Sequence, residues 1–292
     1  MTRLPMLPTS YGENAWWFKF SKYETFKNKK GVYIMPAQNS EQIIYNPYDV
    51  GDKLVTDYLN FGKAIFKGIE DTPKINGALS LVKKYGLLGI LTSAQYETDK
   101  RNSKNPEWTI DLYYDDEEFI GKKTFQEYTY EYFPLLDRQP PLDFNRDPGR
   151  EFLQYNKNYS ERVSWVARKA YELYVNFKNI KDFMNIKEIE NLPDIEYMNK
   201  IFDCRFKIKN VDLYIHFDEL NKASLYWSAD NLLKMIDIIY AFKLIDKKLI
   251  ECKNCGTITP KKRKNSEYCS DSCGNDYRVK KCNYKKKNGL EG

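Results

Sequence analysis

The chain has a single histidine, His216, among 292 residues. It is therefore the only side chain that titrates near neutrality without perturbation. Long apolar runs are missing too. The longest uncharged apolar stretch lies around residues 86–91, far short of the roughly 20 residues that a membrane-spanning helix needs. Residues 1–10 contain no apolar core of the kind a secretory leader carries. The expectation is a cytoplasmic protein without a membrane partner, whose thiols stay reduced. No internal repeat is visible. Net charge is absent from residues 1–250, which hold 36 basic and 36 acidic side chains. The whole-chain excess of +6, from 47 basic and 41 acidic residues, belongs to residues 251–292, with 11 basic and 5 acidic.

Against these absences stand four of the six cysteines. Cys252 and Cys255 read C-x2-C, a thirteen-residue spacer follows, and Cys269 and Cys273 read C-x3-C. Two short-spaced thiolate pairs supply the four soft ligands of a tetrahedral zinc site. Gly256 lets the chain turn tightly away from the first pair. In a reducing compartment this pattern predicts one structural Zn²⁺ per chain rather than two disulfides. Fully ligated by sulfur, such an ion has no open position for water and is no catalyst. Cys204 sits in a strand-like run and is expected in the core; Cys282 has no evident partner.

The excess charge falls in three places: Lys261, Lys262, Arg263 and Lys264 in the spacer; Arg278, Lys280 and Lys281 after the last cysteine; and Lys285, Lys286 and Lys287. A concentrated positive field most commonly meets phosphate backbones, through counterion release and steering. The first two groups are predicted to bind nucleic acid, whereas residues 285–292 read as a solubilising tail. An acidic partner protein would satisfy the same charge.

The body, 1–250, reads as α+β and mainly helical, with a small β-rich N-terminal part. The finger follows over 251–284, expected to be treble-clef-like, and the tail over 285–292. Aromatic or β-branched runs at 15–20 and 31–35 predict strands. Helical periodicity runs over 49–68, with Leu54, Tyr58, Leu59, Phe61, Ile65 and Phe66 on one stripe. A second helix starts at Thr72-Pro73 and ends at Tyr85, before Gly86. A third covers 160–180 with Val163, Val166, Ala167, Ala170, Tyr171 and Tyr174 inward; a fourth is capped by Ser228 and runs to Ile245. It leads almost directly into the finger, which should be rigidly mounted. Residues 102–149 read as loops and short pieces, and the acidic run 115–118 as a solvated edge.

Residues 203–217 alternate with period two on both sides of Lys209-Asn210, which predicts a two-residue hairpin. That register sets Asp203 opposite His216 and Arg205 opposite Tyr214. Metal-independent RNA cleavage needs a base, an acid and a cation at the phosphate. His216, Asp203 and Arg205 would form such a catalytic constellation; an ordinary solvated hairpin face is the competing reading. A histidine-free mechanism using finger lysines and arginines is a further possibility.

The string Tyr268-Cys269-Ser270-Asp271-Ser272-Cys273-Gly274-Asn275, followed by Arg278-Val279-Lys280, resembles the CGNR-type zinc finger that ends many bacterial proteins. Asp276 stands where that pattern has Arg, and the second cysteine pair is one residue tighter. Upstream, Lys84-Tyr85-Gly86-Leu87-Leu88-Gly89 and Tyr159-Ser160-Glu161-Arg162-Val163 with Trp165 are similar to elements of bacterial defence proteins, including the ring-activated zinc-finger RNase type. The resemblance implies an RNA-cleaving effector that assembles into an oligomer on sensing a phage protein. The other readings are a DNA-binding regulator with the same finger and a structural interaction protein.

Overall fold

A computed structural model describes residues 15–97, 107–112, 157, 159–185, 193–208, 212–217, 223–229, 231–263 and 265–287. They form a mixed architecture of helices and small antiparallel sheets. Strand β1 (Trp17–Phe20) pairs with β4 (Gln42–Tyr45), and β2 (Tyr23–Asn28) pairs with β3 (Gly31–Pro36). Helices α1 (Gly51–Phe66) and α2 (Asp71–Tyr85) follow, then the pair β5 (Leu91–Glu97) and β6 (Glu107–Leu112). Strand β7 (Glu161–Arg162) adds to β3 and opens directly into α3 (Val163–Met184).

Helices α1 and α3 pack most closely. A Cβ on Gly62 would lie 1.9 Å from the Ala170 carbonyl oxygen, so this crossing requires glycine. The predicted stripe of α1 is inward at Leu54, Tyr58 and Leu59, while Phe66 is exposed and rests on Tyr171 and Tyr174. On α3, Val163, Val166, Ala167, Ala170 and Tyr174 are buried as expected; Tyr171 is exposed. Helix α2 begins at Asp71, and Pro73 occupies its first turn, where its missing N–H costs nothing.

The segment 203–217 departs from its expected pairing. Residues Asp194–Asp203 form α4, because Ile195, Met198 and Phe202 recur at helical spacing and Pro193 starts the helix. Strand β8 (Asp212–Phe217) pairs with β9 (Ala223–Ser228) instead, setting His216 opposite Ser224 and Tyr214 opposite Tyr226. The alternation at 204–208 has a different cause. This stretch is extended and pinned by Asn176, whose amide donates to the Cys204 and Arg205 carbonyls. Phe206 meets Tyr240 edge-on, with ring centroids 4.9 Å apart. Cys204 is half-buried at the end of α4, not in a core strand. The proposed turn at 209–210 lies outside the described residues, as does the acidic run 115–118. Within 102–149, Glu107–Leu112 is one short piece of regular structure, a strand.

Helix α5 (Leu232–Ile245) is apolar on most sides and almost wholly buried up to Tyr240. Its cap is Asn231, whose Oδ1 accepts from the Lys234 N–H at 2.8 Å; Ser228 instead ends β9. The chain continues into β10 (Leu249–Glu251), β11 (Ile258–Pro260) and the 17-residue helix α6 (Asp271–Lys287).

The two upstream strings singled out in the sequence meet in the core. Glu161 is fully buried. Its carboxylate accepts from the backbone N–H groups of Leu88 (2.7 Å), Gly89 (2.7 Å) and Ile90 (3.1 Å) and from the Tyr159 hydroxyl (2.8 Å). The Leu88 carbonyl in turn accepts from Leu233 at the start of α5. The Glu161 side chain thereby joins the turn after α2 to β7, and the Leu88 carbonyl joins that turn to α5.

Candidate metal centre

The first cysteine pair occupies the tip between β10 and β11. Cys252 donates its N–H to the Thr257 carbonyl, and Gly256 donates back to the Cys252 carbonyl. Gly256 has φ +71°, the left-handed conformation expected of it. The second pair brackets the start of α6. Ser270 Oγ accepts from the Cys273 N–H at 3.1 Å, Asp271 lies in the first turn and Lys285 to Lys287 in the last. Both charge placements favour the helix dipole.

The Sγ atoms of Cys252, Cys255, Cys269 and Cys273 all lie within 4.8 Å of one another. Cys255 and Cys269 are 3.7 Å apart, too far for a disulfide, and all four are free thiols. A tetrahedron with metal–sulfur bonds of about 2.3 Å has sulfur edges of roughly 3.8 Å. The four cysteines can therefore hold a metal ion. Electrostatics point the same way. Burial would raise the Cys252 thiol, but N–H groups of Cys255, Cys269 and Asn254 outweigh it and lower it to about 6. Hydrogen bonds from Thr257 lower Cys255. Cys269 is raised to about 12 by burial and the neighbouring thiols. A cluster that ionises in part and then resists is one that a divalent cation completes.

Around the ligands, Asn254 Nδ2 donates to Cys273 Sγ at 3.5 Å, and Lys280 Nζ donates to Asn254 Oδ1 at 3.0 Å. Lys280, expected as a nucleic-acid contact, is engaged by Asn254, which in turn meets Cys273. Arg278 bonds Asn275 and is exposed, as are Lys281, Lys262 and Arg263. Lys261 is half-buried and Lys264 lies outside the described residues. Helix α6 runs unbroken through Lys287, so the lysines assigned to a tail continue the finger helix. Lys285 lies about 18 Å beyond Cys273 at ~1.5 Å per residue.

The centre is tied to the body by contacts that local sequence does not announce. Asn60 pairs its side-chain amide with the Ile258 backbone, donating to O and accepting from N, both at 2.8 Å. Ile258 joins the main core. Glu251 receives Lys63 at 2.7 Å and Lys181 at 2.6 Å, and Lys63 also reaches the Gly256 carbonyl. Burial would raise the Glu251 carboxyl, but Lys181 and Lys63 outweigh it and hold the group below its ordinary value. A depressed acid contributes stability that is present above its unfolded pKa, near 4.5, and lost as pH falls through the folded value. Glu251→Gln should therefore expose residues 251–287 to protease several-fold faster at pH 7, with the difference from the unaltered protein narrowing as pH falls below 4.5.

The hairpin register expected to set His216 opposite Asp203 is not the one observed. Asp203 ends α4, where its carbonyl accepts from Asn179, and the Arg205 guanidinium lies 3.9 Å from the Phe202 ring centroid. Neither is paired to His216 in a hairpin, because Asp203 is helical, residues 204–208 form no strand and β8 pairs with β9.

No helix of the described residues is long and apolar enough to cross a membrane. The chain matches no protein-family model, no curated protein and no solved structure.

Proposed function

We propose that residues 251–287 are a structural, treble-clef-like zinc finger that binds nucleic acid, with RNA as the substrate class. One observation carries this reading: four cysteine sulfurs converge at the N-terminus of an exposed helix that bears Arg278, Lys280, Lys281 and Lys285 to Lys287. A metal ion there fixes the helix and the loop of Lys261, Lys262 and Arg263 as one basic surface. Zinc suits four sulfur ligands in a tetrahedron, with the Asn254–Lys280 brace orienting one of them. RNA as the target comes from the resemblance to defence ribonucleases. So does the expectation that a phage protein or self-assembly clusters several fingers, which multiplies avidity without any new contact. Cleavage of RNA by the clustered form is the output this reading assigns.

The test is binding of single-stranded RNA, single-stranded DNA and duplex DNA by fluorescence anisotropy across a salt series. Changing Lys261, Lys262 and Arg263 together to Gln, or Arg278 and Lys281, should weaken RNA binding about 10- to 100-fold. The log–log salt slope should flatten by about 0.7 for every phosphate that the variant no longer neutralises. Changing Lys285 to Lys287 should cost less, being farther from the metal. Equal losses from all three sets would mean that charge matters and the finger's shape does not. A defined duplex-DNA footprint, with cellular RNA intact after induced expression, would favour the regulator reading.

A further inference from the structure

We infer that the cleft where finger meets body is a pocket for one nucleotide of a single-stranded nucleic acid, its base inside and its phosphates on a lysine rim. The inference rests on the nucleic-acid reading above and extends that surface onto the body. The cleft, about 320 Å³, lies between the C-terminal ends of α3 and α5 and the strand β10. That volume is at the lower end for small-ligand sites. Phe177, Ile180, Leu244 and Ile250 give it an apolar floor. Such a floor takes a flat ring out of water and is tolerant of which base it is.

Five lysines line the cleft, against two carboxylates. Three of them are already paired: Lys181 with Glu251, Lys253 with Glu267, and Lys243 with Asp52. Among the described residues no carboxylate pairs with Lys247 or Lys261. Lys247 has φ +50° and is the one non-glycine of positive φ among the described residues. It closes α5, its N–H reaching Leu244 O at 2.9 Å while Lys248 N–H reaches Lys243 O at 3.0 Å. Glycine does this at less conformational cost. A lysine here holds a cation at the rim against local preference, and backbone outliers of this kind cluster at ligand sites. Lys261, whose N–H bonds the Lys248 carbonyl, makes the rim continuous with the finger loop. A polyanion with apolar rings fits a basic rim above an apolar floor, and it can pass from the loop into the cleft without a break.

The test uses the full-length, metal-loaded protein and a short single-stranded RNA, intact or with one abasic residue walked along it. Lys247→Gly suits the observed backbone, so its thermal midpoint should hold or rise while RNA affinity falls about fivefold. Ile180→Trp fills the cleft. It should lower affinity roughly tenfold and abolish the discrimination between intact and abasic strands that the unaltered protein shows at one position. If the unaltered protein binds RNA and both variants match it, the pocket is overturned and the finger reading stands. No discrimination at any abasic position overturns it equally. A mononucleotide that displaces the strand at equal concentration would assign the cleft to a free nucleotide and overturn the strand assignment. Absence of any nucleic-acid binding overturns both readings.

Discussion

Replacing Cys252 with serine should empty the metal site and unfold the finger. Elemental analysis should fall from one zinc per chain to almost none, and amide exchange over residues 251–287 should lose its protection. The reason is the scarcity of apolar support beyond Ile258 and the polar ties of Asn60, Lys63 and Lys181 to β10 and β11. Of the described residues from 251 to 287, only Cys252, Ile258 and Gly274 are buried. A segment this short and this wet has no apolar core to hold it, and structural zinc contributes on the order of 10–16 kcal/mol to such units. Cys252 is the most secluded ligand, 2% exposed, so serine there leaves a buried hydroxyl in place of a thiolate. Lys280→Ala should act on the same centre more mildly. It releases Asn254 from its brace and should lower metal affinity about 10-fold without unfolding the helix. Disulfides among the four cysteines in protein purified under reducing conditions, or full metal content in the serine variant, would overturn this assignment.

The second large effect belongs to Glu161, which the sequence singled out only as part of the string 159–163, with no role of its own. Glu161→Ala should destabilise the body by about 3–5 kcal/mol in urea denaturation followed by tryptophan fluorescence, because it orphans three buried backbone N–H groups and removes the acceptor of the Tyr159 hydroxyl. Glu161→Gln keeps the shape but puts an NH₂ where an acceptor is required, and should cost about 1–3 kcal/mol. Burial raises the Glu161 carboxyl above its ordinary value, against the pull of its four donors. An acid raised in the fold makes its ionised form the costlier one. Its contribution is therefore greatest below the unfolded pKa near 4.5 and shrinks as pH rises through the folded value. The Glu161→Ala protein should lack that part of the pH dependence. A substitution cost below 1 kcal/mol would mean that water reaches the orphaned donors.

What the sequence disclosed and what it concealed divide along range. The cysteine spacing, the left-handed Gly256 and the extents of α1, α2 and α3 depend on residues within a turn or two of one another, and they read correctly to within a few positions. The hairpin failed because two separate periodicities abut at Asp203. The helical one upstream claimed it, while the alternation at 204–208 is satisfied by packing against Tyr240 and Asn176, far along the chain. Ser228 and Asn231 are both good cap residues, and the end of β9 decided between them. Asn60, Lys63 and Lys181 give no sign in their own neighbourhoods of holding Ile258 and Glu251, which lie 70 to 198 residues away. The charge run was plain, but which lysines stay free was not: Lys280 is engaged by Asn254, and Lys247, upstream of residue 251, borders the cleft.

The central claim is that a metal-built finger presents basic charge to RNA, and one titration tests it most directly. Single-stranded RNA is titrated into the same preparation as purified, after stripping with a chelator, and after zinc is restored. The account predicts a loss of at least 100-fold on stripping and full recovery with one equivalent of zinc, although the net charge of the polypeptide at the basic residues never changes. RNA binding of equal strength in the metal-free protein would contradict it, since unstructured lysines would then suffice.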